Sequence, residues 1–65
     1  MKKNYSERIL AVIRPQEWVK FSDIANRLKL NSYSNTATHY YRGWLDLIAG
    51  GRLQESVDGT FRINQ

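Results

Sequence analysis

The chain has 65 residues and carries ten Lys and Arg against six Asp and Glu, a net charge of +4, so we expect one small basic domain, residues 1–65. With no cysteine, it lacks the residues for a disulfide framework, a thiolate zinc site or a thiol nucleophile; its lone histidine cannot by itself form a metal site, and no metal or cofactor is expected. No apolar run is long enough to cross a membrane and no signal peptide precedes the first predicted helix, so we expect a cytoplasmic protein without membrane contact.

The positive charge, with a pI near 9.8, predicts a polyanionic partner, and nucleic acid is the first candidate. Lys2 and Lys3 add a short basic start to the chain.

The first predicted helix spans about residues 5–14. Asn4 stands three residues before Glu7, which is the spacing of an amino-terminal capping box. Pro15 should end the helix, because the residue before a proline is disfavoured in the helical conformation. Apolar residues recur at helical spacing and predict a buried stripe, formed by Tyr5, Ile9, Val12 and Ile13.

A short strand and a second helix are predicted next. The strand-prone run EWVKF would place Val19 and Phe21 on one face. Ser22 should cap the second helix, with Asp23 in the first turn, where the helix dipole favours a carboxylate. The inward face of this helix is predicted to hold Ile24, Ala25 and Leu28, with Leu30 packing where the chain leaves the helix.

The third predicted helix, about residues 35–49, follows the polar run NSYSN. Ser34 or Asn35 can cap it, and Gly50 or Gly51 ends it. Its interior Gly43 costs about 1 kcal/mol relative to alanine, which predicts close packing against another element. The helical period places one set of side chains inward, namely Ala37, Tyr40, Tyr41, Trp44, Leu47 and Ile48, and another outward, namely Asn35, Thr38, His39, Arg42 and Asp46.

The carboxy-terminal residues 53–63 predict a β-hairpin. A two-residue loop at Asp58 and Gly59 would divide the apolar side chains between the two faces of the sheet. A three-residue loop, 57–59 with glycine in the left-handed position, puts Leu53 opposite Ile63 and Glu55 opposite Phe61 on one face. We prefer the longer loop, because a slip of one residue would expose the apolar side chains. The other face is then polar and holds Gln54, Ser56, Thr60 and Arg62.

The order of helix, short strand, two helices and hairpin resembles a minimal winged helix-turn-helix domain over almost the whole chain. FSDIANRLKL is similar to the second-helix signature of that superfamily, YYRGWLDLIAGGRLQ resembles its recognition helix, and SVDGTFRI matches its wing. The expected fold class is α+β, mainly α, with a three-helix core, a short strand after the first helix and a carboxy-terminal hairpin. The segment 30–40 is longer than the usual turn, so either the turn is expanded or the third helix begins early.

The resemblance implies that the third helix enters the major groove of duplex DNA and that the wing, 53–63, lies near the backbone. Arg42 could pair with guanine and Asn35 with adenine. His39 could contact DNA or could simply be a solvated surface residue. The full set of DNA-contact candidates is Ser34, Asn35, Thr36, Thr38, His39, Arg42, Arg27, Lys29, Thr60 and Arg62. Trp18 and Trp44 are predicted to lie in the core rather than to stack on bases.

Three classes of function follow. The first is a small bacterial or phage transcriptional regulator that binds double-stranded DNA, as a monomer, a homodimer or tandem copies. The second is a protein-interaction module that contacts another regulatory protein; an exposed apolar patch on the third helix would favour it. The third, an enzyme, is not expected, because the sequence offers no carboxylate pair, phosphate-binding glycine loop or activated nucleophile.

Overall fold

The structure is a computed structural model that describes residues 4–31 and 34–64. Three helices, α1 (Tyr5–Ala11), α2 (Phe21–Arg27) and α3 (Asn35–Ala49), precede two antiparallel strands, β1 (Leu53–Glu55) and β2 (Phe61–Ile63). The predicted α+β, mainly α, architecture with a carboxy-terminal hairpin is therefore confirmed. The basic start and the middle of the polar run, Lys2, Lys3, Ser32 and Tyr33, lie outside the described residues.

The core lies between the helices and the inner face of the hairpin. Trp44 occupies its centre: the ring centroid lies 5.8 Å from that of Phe21 at the start of α2 and 5.3 Å from that of Phe61 in β2. Each helix and the hairpin therefore contribute to one apolar cluster, as a chain this short requires. Its buried members are Ile9, Ile13, Val19, Ile24, Tyr40, Trp44, Leu47 and Leu53.

The first helix begins as predicted and ends early. The side-chain oxygen of Asn4 accepts a hydrogen bond from the backbone N–H of Glu7 at 3.1 Å, so the predicted cap is confirmed. The last helical residue is Ala11, not residue 14. The reason is a tightened last turn, in which Val12 N–H bonds to the carbonyl of Ile9, three residues back, at 3.1 Å.

The short strand and the start of α2 differ from the prediction. Of the run 17–21, only Val19 pairs with the hairpin, through two backbone hydrogen bonds to Phe61 of 2.7 and 2.8 Å. Phe21 is instead the first residue of α2, where its ring packs against Trp44. Ser22 is consequently not the cap. The N-cap is Lys20, whose backbone N–H donates a hydrogen bond to the carboxylate of Asp23 at 2.9 Å.

The hairpin has the predicted register, with Leu53 opposite Ile63 and Glu55 opposite Phe61. Its loop has three residues, and Gly59 takes the left-handed position with φ of 85°. The alternative two-residue loop is therefore excluded, and the polar face predicted for Gln54 and Arg62 is turned away from the core.

The third helix approaches α1 closely at Gly43. A Cβ atom at this glycine would lie 3.3 Å from both the backbone nitrogen of Ser6 and the Cβ atom of Tyr5. The predicted close packing is thus confirmed, and the neighbouring element is α1. The helix is capped by Ser34, whose hydroxyl accepts from Ala37 N–H at 3.1 Å, and it ends before Gly51, which has φ of 75°.

Candidate nucleic-acid interface

The polar side of α3 is a surface of the molecule. With Trp44, Tyr40 and Leu47 buried, the helical period of 3.6 residues turns the opposite side chains toward solvent. All five side chains predicted to point outward are exposed, as is the further candidate Thr36: Asn35, Thr36, Thr38, His39, Arg42 and Asp46.

Three of these residues form a stripe whose side chains have no partner in the part of the chain that the structure describes. Within residues 4–31 and 34–64, the side chains of Asn35, Thr38 and Arg42 make no hydrogen bond or ion pair. We call them the polar stripe. With respect to residues 4–31 and 34–64, their donors and acceptors are open to solvent, so an external ligand can bind them without breaking a bond to those residues.

His39 lies at the edge of the polar stripe that faces α1. Its ring stacks on that of Tyr5, with centroids 5.5 Å apart and planes inclined by 14°. Next to this stack, a cleft between α1 and α3 is bordered by Arg42 and Asp46. The stack holds the imidazole against α1, so His39 is more constrained than the residues of the polar stripe.

Two predicted contact residues beside α3 are engaged within the fold. The hydroxyl of Ser34 caps α3 and donates to the carbonyl of Asn31 at 2.8 Å. The guanidinium of Arg27 donates to both carboxylate oxygens of Glu17, at 2.7 and 2.6 Å, and to the carbonyl of Val12 at 2.8 Å. Ser34 would have to give up its bond to Asn31 to donate to a phosphate, whereas Arg27 uses three of its five N–H donors in these bonds.

The Arg27 guanidinium also changes the ionisation of its partner. Its hydrogen bonds, with a weaker contribution from the backbone N–H of Arg14, lower the pKa of Glu17 from 4.5 to about 2. Glu17 therefore remains ionised throughout the neutral range, and the pair ties α2 to the turn that precedes it.

The two candidates on the wing are also engaged. The hydroxyl of Thr60 donates to the carboxylate of Asp58 at 2.7 Å, and hydrogen bonds from Ser56 and Thr60 lower the pKa of that carboxyl to about 2. The guanidinium carbon of Arg62 lies 4.7 Å from the ring centre of Trp18, and its Nε donates to Gln54 at 3.2 Å.

The position of Arg62 matters for the shape of the interface. Alternation along β2 places its side chain on the sheet face opposite to Phe61, which packs on Trp44 of α3. Arg62 therefore does not share a face with the polar stripe. A DNA contact by the wing stays a prediction, and it would use a surface separate from α3.

Lys29 is the remaining candidate, and its side chain is exposed and makes no bond within the described part of the chain. Its backbone is left-handed, with φ of 55°, and closes α2 through a bond from Leu30 N–H to the carbonyl of Ala25 at 2.9 Å. The ammonium group is thus presented at the turn between α2 and α3.

Two predictions for aromatic residues are wrong. Trp18 was expected in the core but is 41% exposed, because it lies on the outer face of the sheet, beside Arg62. Tyr41 was placed on the buried stripe but is 48% exposed, beside the 45% exposed Leu45. The sequence does contain a signal for the exposure of Tyr41: α3 has more apolar residues than one buried stripe can hold.

Searches of protein-family models, of curated proteins and of solved structures found no match to this chain. In the part of the chain that the structure describes, no helix has the length and apolar composition needed to cross a membrane. What the protein binds must therefore be inferred from its own side chains.

Proposed function

We propose that the protein binds double-stranded DNA sequence-specifically through α3, as a small cytoplasmic transcriptional regulator of the winged helix-turn-helix type. The observation that carries this proposal is the polar stripe, Asn35, Thr38 and Arg42, which is exposed on the longest helix and has no partner among the described residues. An α-helix with such a face fits the major groove of B-form DNA.

The chemistry of the stripe matches base edges and phosphates. Arg42 can donate two hydrogen bonds to guanine O6 and N7, and the amide of Asn35 can pair with adenine N6 and N7. Thr38 can donate to a phosphate or a base. Asn35 and Arg42 lie seven residues apart, about 10 Å along the helix axis, which corresponds to roughly three base-pair steps.

The charge distribution supports the same ligand. Lys29 lies in the turn that follows α2, and its exposed ammonium group can contact a phosphate. The negative charge of Glu17 is compensated by its ion pair with Arg27. Less negative charge therefore remains near α2 to repel a phosphate. A single domain buries about 600–1,000 Å² on DNA, so two copies on adjacent sites would bind more stably than one. Regulation would then follow from occupancy of an operator.

A second candidate function, binding to another protein, is favoured by a different observation. Tyr41 and Leu45 are both nearly half exposed on α3, and exposed aromatic residues are enriched at protein interfaces. The two functions differ in their response to salt, since each phosphate contact steepens the salt dependence of DNA binding.

The experiment is a selection of bound duplexes from a random pool, followed by affinity measurements at two salt concentrations. We expect an enriched sequence, a strong salt dependence, and a loss of sequence preference in Arg42→Ala. Arg14→Ala is the matched control, because it removes the same charge from an exposed position away from α3. If the pool yields no preferred sequence, or if Arg14→Ala and Arg42→Ala weaken binding equally, α3 does not recognise DNA sequence.

A further inference from the structure

The exposed surface of α3 has two chemically different halves. The polar stripe occupies one half. The other half, which we call the apolar flank, consists of the exposed side chains of Tyr41 and Leu45, and Tyr41 contacts Phe21 of α2. Beside it, a recess between α2 and α3 is lined, among the described residues, by Phe21, Ala25, Leu30, Ala37, Thr38 and Tyr41.

The apolar flank is continuous with the polar stripe. Thr38 belongs to the stripe and also lines the recess, so a ligand that contacts one meets the other. Arg42 adjoins Tyr41 in the chain and lies one turn from Leu45. A ligand on the flank therefore lies within reach of the guanidinium group.

The charge around the flank suits a polyanion. None of the described residues that line the recess is acidic. Asp46, the one carboxylate of α3, lines the cleft that faces α1, together with His39 and Arg42. The recess itself therefore presents no carboxylate to a phosphate, and the carboxylate of Asp46 lies on the Arg42 side of the helix.

The Tyr41 ring is held in place, although it is exposed. It makes an edge-to-face contact with Phe21, with centroids 5.1 Å apart and planes inclined by 79°. Such a contact limits the conformations of the ring, so little entropy is lost when a ligand packs on its free side. The flank is thus a preformed apolar surface.

The major groove contains one apolar group on its base edges, the 5-methyl group of thymine. We infer that the apolar flank contacts thymine methyl groups, so that the preferred site contains thymine next to the base pair contacted by Arg42 and Thr38. Tyr41 and Thr38 are then specificity-determining residues for A·T pairs at those positions. This inference rests on the proposed function, because it requires α3 to lie in the groove.

The test replaces each thymine of the selected duplex with uracil, which removes the methyl group and leaves the Watson–Crick edge unchanged. Burial of one methyl group corresponds to about a fourfold gain in affinity, so uracil at the contacted position should weaken binding about fourfold. In Tyr41→Ser or Thr38→Ser, the same replacement should have no effect. Val57→Ser, which removes an exposed apolar side chain from the wing, should retain the fourfold difference.

The outcomes separate this inference from the proposed function. If the protein binds the duplex with sequence preference but every uracil replacement is neutral, the methyl contact does not exist, while DNA binding by α3 stands. If the full uracil effect persists in either Tyr41→Ser or Thr38→Ser, that side chain does not contact the methyl group, and the inference also fails. If no duplex is bound at all, both are wrong. Fluorescence of the buried Trp44 shows whether each variant is folded.

Discussion

The hydroxyl of Ser6 donates a hydrogen bond to the carbonyl of Gly43 at 3.3 Å, across the closest approach of α1 and α3. Three residues along α1, Ile9 is fully buried in the core. The position of α1 against α3 is therefore set at a point where a Cβ atom on α3 would be crowded by the backbone of α1.

The first prediction concerns this contact. Gly43→Leu should destabilise the domain by about 1–3 kcal/mol, because the added atoms meet the backbone of Ser6 and the Cβ of Tyr5. Ala49→Leu is the control, since Ala49 is exposed near the end of the same helix, and its effect should stay within about 0.5 kcal/mol. Urea unfolding gives the free energy of unfolding of both variants. Equal effects of the two substitutions would mean that α1 does not pack here.

The second prediction concerns stability in acid. Because the hydrogen bonds from Arg27 lower the pKa of Glu17 from 4.5 to about 2, the pair stabilises the fold fully above pH 4.5. This contribution is lost as the pH falls toward 2. In Glu17→Gln, the free energy of unfolding should therefore decrease less over that interval than in the wild type.

The control for this experiment is Glu55→Gln, which removes a carboxylate that makes no bond within the described residues. It should leave the wild-type pH dependence in place. Asp58, whose pKa is also lowered to about 2, should cause the residual dependence that persists in Glu17→Gln. Identical acid profiles for wild type and Glu17→Gln would show that the ion pair is absent in solution.

The third prediction distinguishes the two tryptophans. Trp44→Ala should cost about 3–5 kcal/mol and leave most of so small a domain unfolded, because this ring lies in the core. Trp18→Ala should cost clearly less, because its ring is 41% exposed. Acrylamide should quench the emission of Trp44→Phe, which retains Trp18, more strongly than that of Trp18→Phe. The reverse order would mean that Trp18, and not Trp44, lies in the core.

The fourth prediction concerns Lys29. Its left-handed backbone is unfavourable for a residue with a Cβ atom, so Lys29→Gly should stabilise the fold by about 0.5–1 kcal/mol. The same change should weaken DNA binding and reduce its salt dependence, because a phosphate contact is lost. Gln16→Gly, at another left-handed position with φ of 62°, should stabilise the protein without affecting DNA. A salt dependence unchanged by Lys29→Gly would remove Lys29 from the interface.

The fifth prediction concerns the wing. Arg62→Ala should destabilise the protein by about 0.5–1 kcal/mol, because the guanidinium packs over the Trp18 ring. Its affinity for the selected duplex should fall less than that of Arg42→Ala, since Arg62 lies on the sheet face turned away from α3. Fluorescence anisotropy with a labelled duplex measures both variants. A larger loss in Arg62→Ala would show that the wing, and not α3, dominates binding.

Features that depend on local periodicity could be predicted from the sequence. The outward position of Asn35, Thr38 and Arg42 follows from the 3.6-residue period of one long helix. The pairing of Leu53 with Ile63 follows from strand parity, because the alternative loop would expose apolar side chains. The close contact at Gly43 could be predicted because glycine is unfavourable within a helix unless another element packs against it.

Features that depend on partners distant in the chain were decided by the tertiary structure. Phe21 lies in a helix rather than a strand, because its ring packs against Trp44, and the exposed Arg27 binds Glu17. Tyr41 is exposed because the core is filled by Tyr40 and Trp44, which leaves no room for a second tyrosine. A single helix can bury only the width of one face, and the neighbouring elements determine which of its apolar residues occupy that width.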